Sequence, residues 1–194
     1  MPSPDPSRPV RSDARRNRDK LVAVARAAFA TDGTVNGTVA LEAVAREAGV
    51  GIGTLYRHFP TREALVEAVY AAELDDVTAG APALLDALAP EDALRAWMDR
   101  YAAFVATKRG MADVLRASVA SGRIATPVTR QRITAAIGAI LDAGAKAGTL
   151  RAGADPEDVT LLLLGTFLST VDERDPGRTG RMLDLIVDAL RVNR

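Results

Sequence analysis

Residues 48–60 read AGVGIGTLYRHFP. It contains three glycines, a Tyr, a Phe and the only His of the 194 residues. Three interpretations compete: a glycine loop that holds a phosphate, a catalytic site built on one histidine, and a tight turn between two helices that bind DNA. The flanking sequence separates them.

The first two interpretations lack the residues that their chemistry needs. Gly49, Gly51 and Gly53 give G-x-G-x-G, but the terminal Gly-Lys-Ser/Thr of a P-loop and a preceding strand pattern are missing. His58 has no cysteine and no second histidine to work with, so metal ligation and Cys–His catalysis have no partners. Composition leaves a Ser–His–Asp triad open, although no nucleophile elbow is present. We therefore expect no enzyme activity, no metal and no cofactor.

The third interpretation, a helix-turn-helix, agrees with the apolar periodicity. A short apolar face predicts one helix over 41–48, the glycine turn follows, and a second short helix covers 52–59. Val50, Leu55 and Phe59 are spaced so that they can point into a core. The side chains left on or near the exposed side are Ile52, Thr54, Tyr56, Arg57 and His58. Such a face suits contacts with phosphates and bases.

The rest of the chain has the pattern of a helical protein. Apolar residues make up 48% of the sequence and aromatic residues only 4%, so the core has to be built from Ala, Leu, Val and Ile. This composition favours helices, and no segment shows the sustained two-residue alternation of a strand. The spacing predicts an all-α fold of about nine helices, with approximate bounds 13–32, 41–48, 52–59, 62–77, 90–108, 111–120, 127–147, 156–171 and 182–192.

Charge and composition divide the chain further. Residues 1–12 hold four prolines, and we expect them to form a disordered basic arm. Residues 1–62 carry ten Lys or Arg and six Asp or Glu, a net charge of +4, while residues 63–194 carry fifteen and nineteen, a net charge of −4. A basic first third favours contact with a polyanion, although an excess of this size also arises by chance.

Nothing in the sequence indicates export or a membrane. The polar N-terminus has no apolar segment of the signal-peptide kind, and the longest apolar run, 161–168, is far too short to cross a bilayer. The chain contains no cysteine, which excludes disulfides and thiol catalysis. We expect a cytoplasmic protein.

The run LEAVAREAGVGIGTLYRHFPTREAL, Leu41–Leu65, resembles the DNA-binding signature of TetR-type transcriptional regulators. The resemblance rests on Ala48-Gly49-Val50, Thr54-Leu55-Tyr56 and His58-Phe59, and it covers about residues 15–70. The later part resembles the family in architecture. The segments KRGM at 108–111 and AGTLR at 147–151 resemble the SbtR-like effector-domain subgroup.

The resemblance implies a ligand-responsive, sequence-specific DNA-binding regulator, a repressor that a small molecule releases from its operator. It divides the chain into a DNA-binding domain at 13–62 and a helical effector-binding and dimerisation domain at 63–194. A homodimer on a palindromic operator in double-stranded DNA is implied as well. The implied DNA-contact residues are Thr38, Gly51, Ile52, Gly53, Thr54, Tyr56, Arg57, His58 and Arg62.

These residues have different implied roles. Tyr56 and His58 would contact the DNA backbone, and Arg62 stands where the family usually has a phosphate-binding Lys. Residues 51–54 would face the major groove, where Ile52 can touch a thymine methyl group. The alternative is that Tyr56 packs over the motif and His58 is an ordinary surface residue. Arginines that could track the DNA backbone or minor groove from the arm are Arg11, Arg15, Arg16 and Arg18; the alternative is a solvated tail.

Two departures from the family pattern bear on DNA binding. Ala40 stands where the family usually has Ser or Thr as the N-cap of the second helix, and Ala cannot cap. Thr38 is the nearest hydroxyl that could replace it, if the helix begins earlier. Gly51 and Gly53 have no side chains, so specificity is expected to lean on DNA shape and the arginine-rich arm.

Two further residue sets are expected in the larger domain. Candidate effector-binding residues are Trp97, Met98, Tyr101, Phe104 and Phe167, which are also ordinary core residues at helical spacing. Apolar side chains on the last two helices give candidate dimer-interface residues, with central core helices as the alternative. They are Val159, Leu163, Phe167, Met182, Leu185, Ile186 and Ala189.

Two other functions stay open on the sequence alone. A helical enzyme or small-molecule carrier would use the aromatic cluster of the larger domain. A constitutive structural DNA binder would use the helix-turn-helix without any effector. If the chain is a regulator, we expect an effector to tilt the fourth helix, Arg62–Val77, and to change the spacing of two recognition helices.

Overall fold

The computed structural model describes residues 7–32, 40–109, 111–170, 175 and 177–192, with side chains of the first helix described over 13–29. In these ranges the chain forms nine α-helices and no β-strand, which confirms the predicted all-α fold. The helices are α1 Ser7–Asp32, α2 Leu41–Glu47, α3 Ile52–His58, α4 Arg62–Ala87, α5 Pro90–Arg109, α6 Ala112–Ala120, α7 Thr126–Ala147, α8 Pro156–Ser169 and α9 Arg178–Leu190.

The helices form two compact units. One contains the described residues of 1–72 and 106–124, and the other contains those of 73–105 and 125–194. Two of the three borders along the chain fall inside helices, within α4 and within α5, and the third lies between α6 and α7. The domain border predicted between residues 62 and 63 stays a prediction.

The first helix begins earlier than the sequence predicted. Residues 7–12 were expected in a disordered arm, but α1 begins at Ser7. Pro9 lies in the first turn, where backbone N–H groups have no intrahelical partner, so its missing N–H removes no hydrogen bond. Residues 1–6 of the expected arm lie outside the described residues.

The fourth helix ends later than the sequence predicted. Its expected end was near Val77, but α4 continues through Gly80 and Pro82 to Ala87. A proline inside a helix costs about 3 kcal/mol because it removes one hydrogen bond and crowds the preceding turn. Ala81 and Leu84 are buried, at 1% and 6% exposed, and their burial offsets that cost.

The first unit has a small core to which α1, α2 and α3 each contribute buried residues. Leu21 and Ala25 of α1 are fully buried, and Leu55 of α3 joins them at 0% exposed. Val50 and Phe59 are buried at the two ends of α3, as the spacing predicted. These contacts fix α3 by one side only.

The second unit is held by apolar packing of α5, α7, α8 and α9. Trp97 is fully buried, and its indole Nε1–H donates to the carbonyl oxygen of Val77 at 2.9 Å. The C-terminus of α9 is fastened by two backbone hydrogen bonds, from Arg151 N–H to Leu190 O and from Val192 N–H to Thr149 O. No helix in the described ranges is long and apolar enough to cross a membrane.

Candidate nucleic-acid interface

The turn between α2 and α3 is closed by backbone hydrogen bonds that glycine makes possible. Gly49 has φ +65°, a left-handed conformation that L side chains rarely adopt. The Gly49 N–H donates to Arg46 O at 3.1 Å, and the Val50 N–H donates to Ala45 O at 2.9 Å. This pair of bonds is the Schellman motif, and buried Val50 supplies its usual apolar contact. The turn therefore sets the angle at which α3 leaves α2.

The exposed side of α3 carries the predicted DNA-contact residues. At 100° per residue, Gly53 and Arg57 lie about 160° from buried Leu55, and both are exposed. Ile52 and Tyr56 are 41% and 44% exposed, which is high for apolar and aromatic side chains. The structure therefore brings these residues together on one helix surface. Of the remaining predicted contacts in this helix, Thr54 and His58 are half-buried.

The glycines of this surface are not required by the fold. Gly51 has φ −62°, an ordinary value for any residue, and Gly53 lies inside a helix. A Cβ atom built on either glycine meets no atom within 4 Å. Glycine inside a helix costs about 1 kcal/mol relative to alanine. Both glycines thus leave open space on the exposed side of α3, and the packing of the chain does not require either of them.

The start of α4, separated from the end of α3 by three residues, carries a cation. Arg62 is the first residue of α4, as predicted, and it is half-buried. Thr61 caps the helix, since its Oγ1 accepts the Ala64 N–H at 3.2 Å. The Glu63 carboxyl is exposed, and hydrogen bonds from its own backbone N–H and from Thr61, together with the charge of Arg62, lower its pKa. Glu63 therefore stays ionised and partly offsets the positive charge of Arg62.

The second helix lacks the cap that the family usually has. Ala40 occupies the N-cap position of α2 with φ −74° and ψ 124°, and no side chain caps there. Its carbonyl oxygen accepts the N–H groups of Ala43 and Val44, so the backbone alone begins the helix. Thr38, the predicted replacement, lies outside the described residues.

The sequence did not predict that Glu67 of α4 bonds to Ser118 in α6 and to Arg123 just after α6. Glu67 Oε1 accepts hydrogen bonds from Ser118 Oγ and Arg123 Nε, each at 2.6 Å. Burial raises the pKa of the Glu67 carboxyl, but these two bonds and the Arg123 charge lower it more, so the carboxylate stays ionised. The partners are 51 and 56 residues away in sequence, so no local pattern could reveal them.

The predicted effector-binding residues lie in the second unit as a buried cluster. Trp97, Met98, Tyr101, Phe104 and Phe167 are each at most 5% exposed. The Tyr101 ring centroid lies 5.4 Å from that of Trp97 and 5.3 Å from that of Phe167, the latter edge-on. A separate open groove of about 540 Å³ lies between α7 and the start of α8, and none of the five residues lines it. Their role in effector binding stays a prediction.

The predicted dimer-interface residues fall into two groups. Val159, Leu163 and Phe167 are at most 3% exposed within a single chain, so they pack in its core. Leu185 and Ala189 are exposed, and Met182 and Ile186 are half-buried. On α8 the exposed leucines are instead Leu161, Leu162 and Leu168, at 49%, 56% and 74%. Because α8 has apolar residues on nearly all sides, its sequence alone did not show which side faces the core.

The described side chains do not suggest a metal site. No group of three or more His, Asp or Glu residues within them is arranged to hold a metal ion. His58 is half-buried at the end of α3, where its neighbours are Arg57 and the Phe59 ring, with ring centroids 6.3 Å apart.

Comparisons with known proteins give consistent matches. The family model described as bacterial regulatory proteins, tetR family, matches residues 21–69, and the model for the SbtR-like transcriptional regulator C-terminal domain matches residues 89–192. A solved TetR transcriptional regulator from Streptomyces coelicolor is 44% identical over 91% of this chain and 99% of that chain, with a TM-score of 0.81. A TetR transcription regulatory protein from Mycobacterium vanbaalenii is 34% identical over 94% and 99%, with a TM-score of 0.71.

Curated relatives match over the first part of the chain. An HTH-type transcriptional regulator of Staphylococcus aureus strain USA300 is 36% identical over 66 residues. The match covers 34% of this chain and 35% of that relative, so the chain spans about a third of the length of the curated relatives it matches.

Gly53→Ala should stabilise the protein. The added methyl group meets open space, and alanine in a helix is favoured by up to about 1 kcal/mol. Gly144→Ala is the control, because its added Cβ would clash with the Leu150 side chain in a packed region. This variant should be destabilised by about 1–3 kcal/mol. Urea unfolding of both variants checks this. A Gly53→Ala variant less stable than the parent protein would show that the fold does require this glycine.

Proposed function

Because the chain belongs to the TetR family of bacterial transcriptional regulators, we propose that it binds an operator in double-stranded DNA and releases it when a small molecule binds. Ligand-responsive repression is typical of this family. The observation that carries the proposal is the exposed surface of α3, held rigidly by the Gly49 turn and by buried Leu55. The protein acts by binding, without catalysis, in the cytoplasm where its DNA target lies.

DNA affinity in this proposal comes mainly from backbone phosphates. Tyr56, Arg57 and His58 present hydroxyl, guanidinium and imidazole groups on α3, and Arg62 adds a charge at the N-terminus of α4. A helix N-terminus also favours anions through its unpaired N–H groups. Although the whole chain has no net charge, this local set of donors suits a polyanion.

In this proposal, recognition of the DNA sequence depends on a close approach of the α3 backbone to the base edges. Exposed Gly51 and Gly53 let the start of α3 come near the base edges, because no side chain stands between them. Ile52 can then touch a thymine methyl group, and Thr54 can hydrogen-bond to a base or phosphate. Few side chains read bases directly, so DNA shape contributes to specificity.

DNA binding should weaken when the assigned phosphate contacts are removed. Tyr56→Ala and Arg62→Ala should each reduce affinity for the intergenic DNA upstream of the protein's own gene by about tenfold or more, since hydrogen bonds to charged groups contribute about 1.5–3 kcal/mol. Arg116→Ala is the control, because Arg116 is 73% exposed on α6 and pairs with Asp113. Fluorescence anisotropy measures the affinities. Unchanged binding by both variants would show that the surface is assigned wrongly.

We also propose that two copies pair through α8 and α9. Leu168 and Leu185 are 74% and 67% exposed, and Leu161 and Leu162 add to the apolar surface of α8. Large apolar side chains exposed on neighbouring helices mark an association surface. A two-fold pairing would cover the same surface on both chains and match a palindromic operator.

A charge placed in this surface should separate the copies. Leu168→Glu or Leu185→Glu removes a leucine whose burial contributes about 1.5–3 kcal/mol, and a two-fold interface loses it twice. The dimer dissociation constant should therefore rise by at least about a hundredfold, which analytical ultracentrifugation measures. Leu88→Glu, at a residue 42% exposed before α5, is the control. Dimers that persist in both variants would contradict this interface.

The proposed effector acts in the second unit, near the cluster around Tyr101. The helix α4, Arg62–Ala87, contains residues of both units. A shift of this helix in the second unit would therefore also move Arg62, its first residue, which lies in the first unit. In the first unit α4 is also tied to α6 through Glu67. An effector that favours another orientation of α4 would thus change DNA affinity through differential binding to two states.

The distance between two DNA-binding domains should change when an effector binds. The chain has no cysteine, so Glu47→Cys, at an exposed residue ending α2, takes one spin label per chain. Compounds found by their ability to release DNA should shift the label-to-label distance measured by pulsed electron paramagnetic resonance. An inactive analogue of the same compound is the control. Release of DNA with no change in distance would contradict the proposed switch.

A further inference from the structure

The first helix reaches the end of the recognition helix. The guanidinium carbon of Arg18 in α1 lies 5.5 Å from the centroid of the Phe59 ring, directly after the last residue of α3. Phe59 is buried at 3% exposed, so Arg18 rests on a fixed platform. A guanidinium stacked on a ring keeps its N–H donors in its own plane, where they stay available to a phosphate.

A second arginine lies on the same side of α1. Arg15 precedes Arg18 by three residues, so the two are about 60° apart around the helix, and both are exposed. No ion pair of Arg15 occurs among the described side chains. Exposed Asp19 follows Arg15 by four residues and is the nearest acidic residue along this side.

The third arginine of this segment differs from the other two. Arg16 lies about 100° around the helix from Arg15 and forms an ion pair with Asp13. Its charge is therefore already matched within α1. The helix thus carries one arginine over Phe59, a second on the same side and a third that is paired, and the third supplies a control of equal charge.

We propose that Arg15 and Arg18 bind backbone phosphates of the operator from the rigid α1 helix, beside the surface of α3. This inference rests on the proposed DNA-binding function and extends its contact surface to α1. The occupant is double-stranded DNA because two exposed guanidinium groups match phosphate charge and geometry. Arginines held on a helix lose less conformational freedom on binding than arginines of a disordered arm.

The helical form of this segment also decides between two DNA features. A helix with its side chains is about 10–12 Å across, whereas the minor groove of B-DNA is about 6 Å wide. The helix body at residues 15–18 is therefore too wide to lie inside an undistorted minor groove. A helix of this width running along the groove edge can bring its arginines to the backbone phosphates, which is the contact proposed here.

The salt dependence of DNA affinity tests this proposal. Arg15→Gln and Arg18→Gln should each lower the slope of log affinity against log salt by about 0.9 per lost contact, or by about 1.8 for a dimer that loses one from each chain. Arg16→Gln removes the same charge, and its slope should equal that of the parent protein. Anisotropy titrations between 50 and 200 mM salt measure all four proteins on one selected duplex.

The outcomes separate this proposal from its alternatives. Parental slopes for Arg15→Gln and Arg18→Gln would overturn it, and an equal fall in all three variants would show an effect of bulk charge only. Thermal unfolding controls for folding, and Arg18→Lys, which keeps the charge over Phe59, should regain most of the slope. If the parent protein enriches no DNA sequence at all, the proposed function itself is wrong.

Discussion

The left-handed backbone at Gly49 is the constraint on which the DNA-binding surface depends. It closes the turn through the Val50 N–H to Ala45 hydrogen bond and fixes the angle between α2 and α3. Once that angle is set, Leu55 faces the core and Gly53 and Arg57 face outward. A residue with a side chain at position 49 would strain the turn and so misdirect every group on α3.

Local features of the sequence predicted this region well. The glycine turn, the burial of Val50, Leu55 and Phe59, and the position of Arg62 follow from spacing over a few residues, where turn chemistry and helical periodicity suffice. The match of residues 21–69 and 89–192 to the two family models confirms the resemblance. The individual DNA contacts stay predictions.

Features that depend on distant contacts were not predictable. The sequence pattern ended the fourth helix near Val77, but α4 continues past Pro82 to Ala87, where buried Leu84 stabilises the last turns. Periodicity identified α8 as apolar and could not distinguish its core side from its outer side, which is why Leu163 was assigned to the interface and Leu168 was not. The Glu67 link to Ser118 and Arg123 joins residues more than fifty apart, which no local pattern reveals.

The central claim is that the α3 surface selects a particular DNA sequence. Selection from a random library of double-stranded DNA, followed by sequencing of the bound fraction, tests it most directly. We predict enrichment of an inverted repeat whose half-site centres lie one or more helical turns apart, at multiples of about 34–36 Å. Bound DNA with no enriched sequence, or with a single unrepeated site, would contradict it.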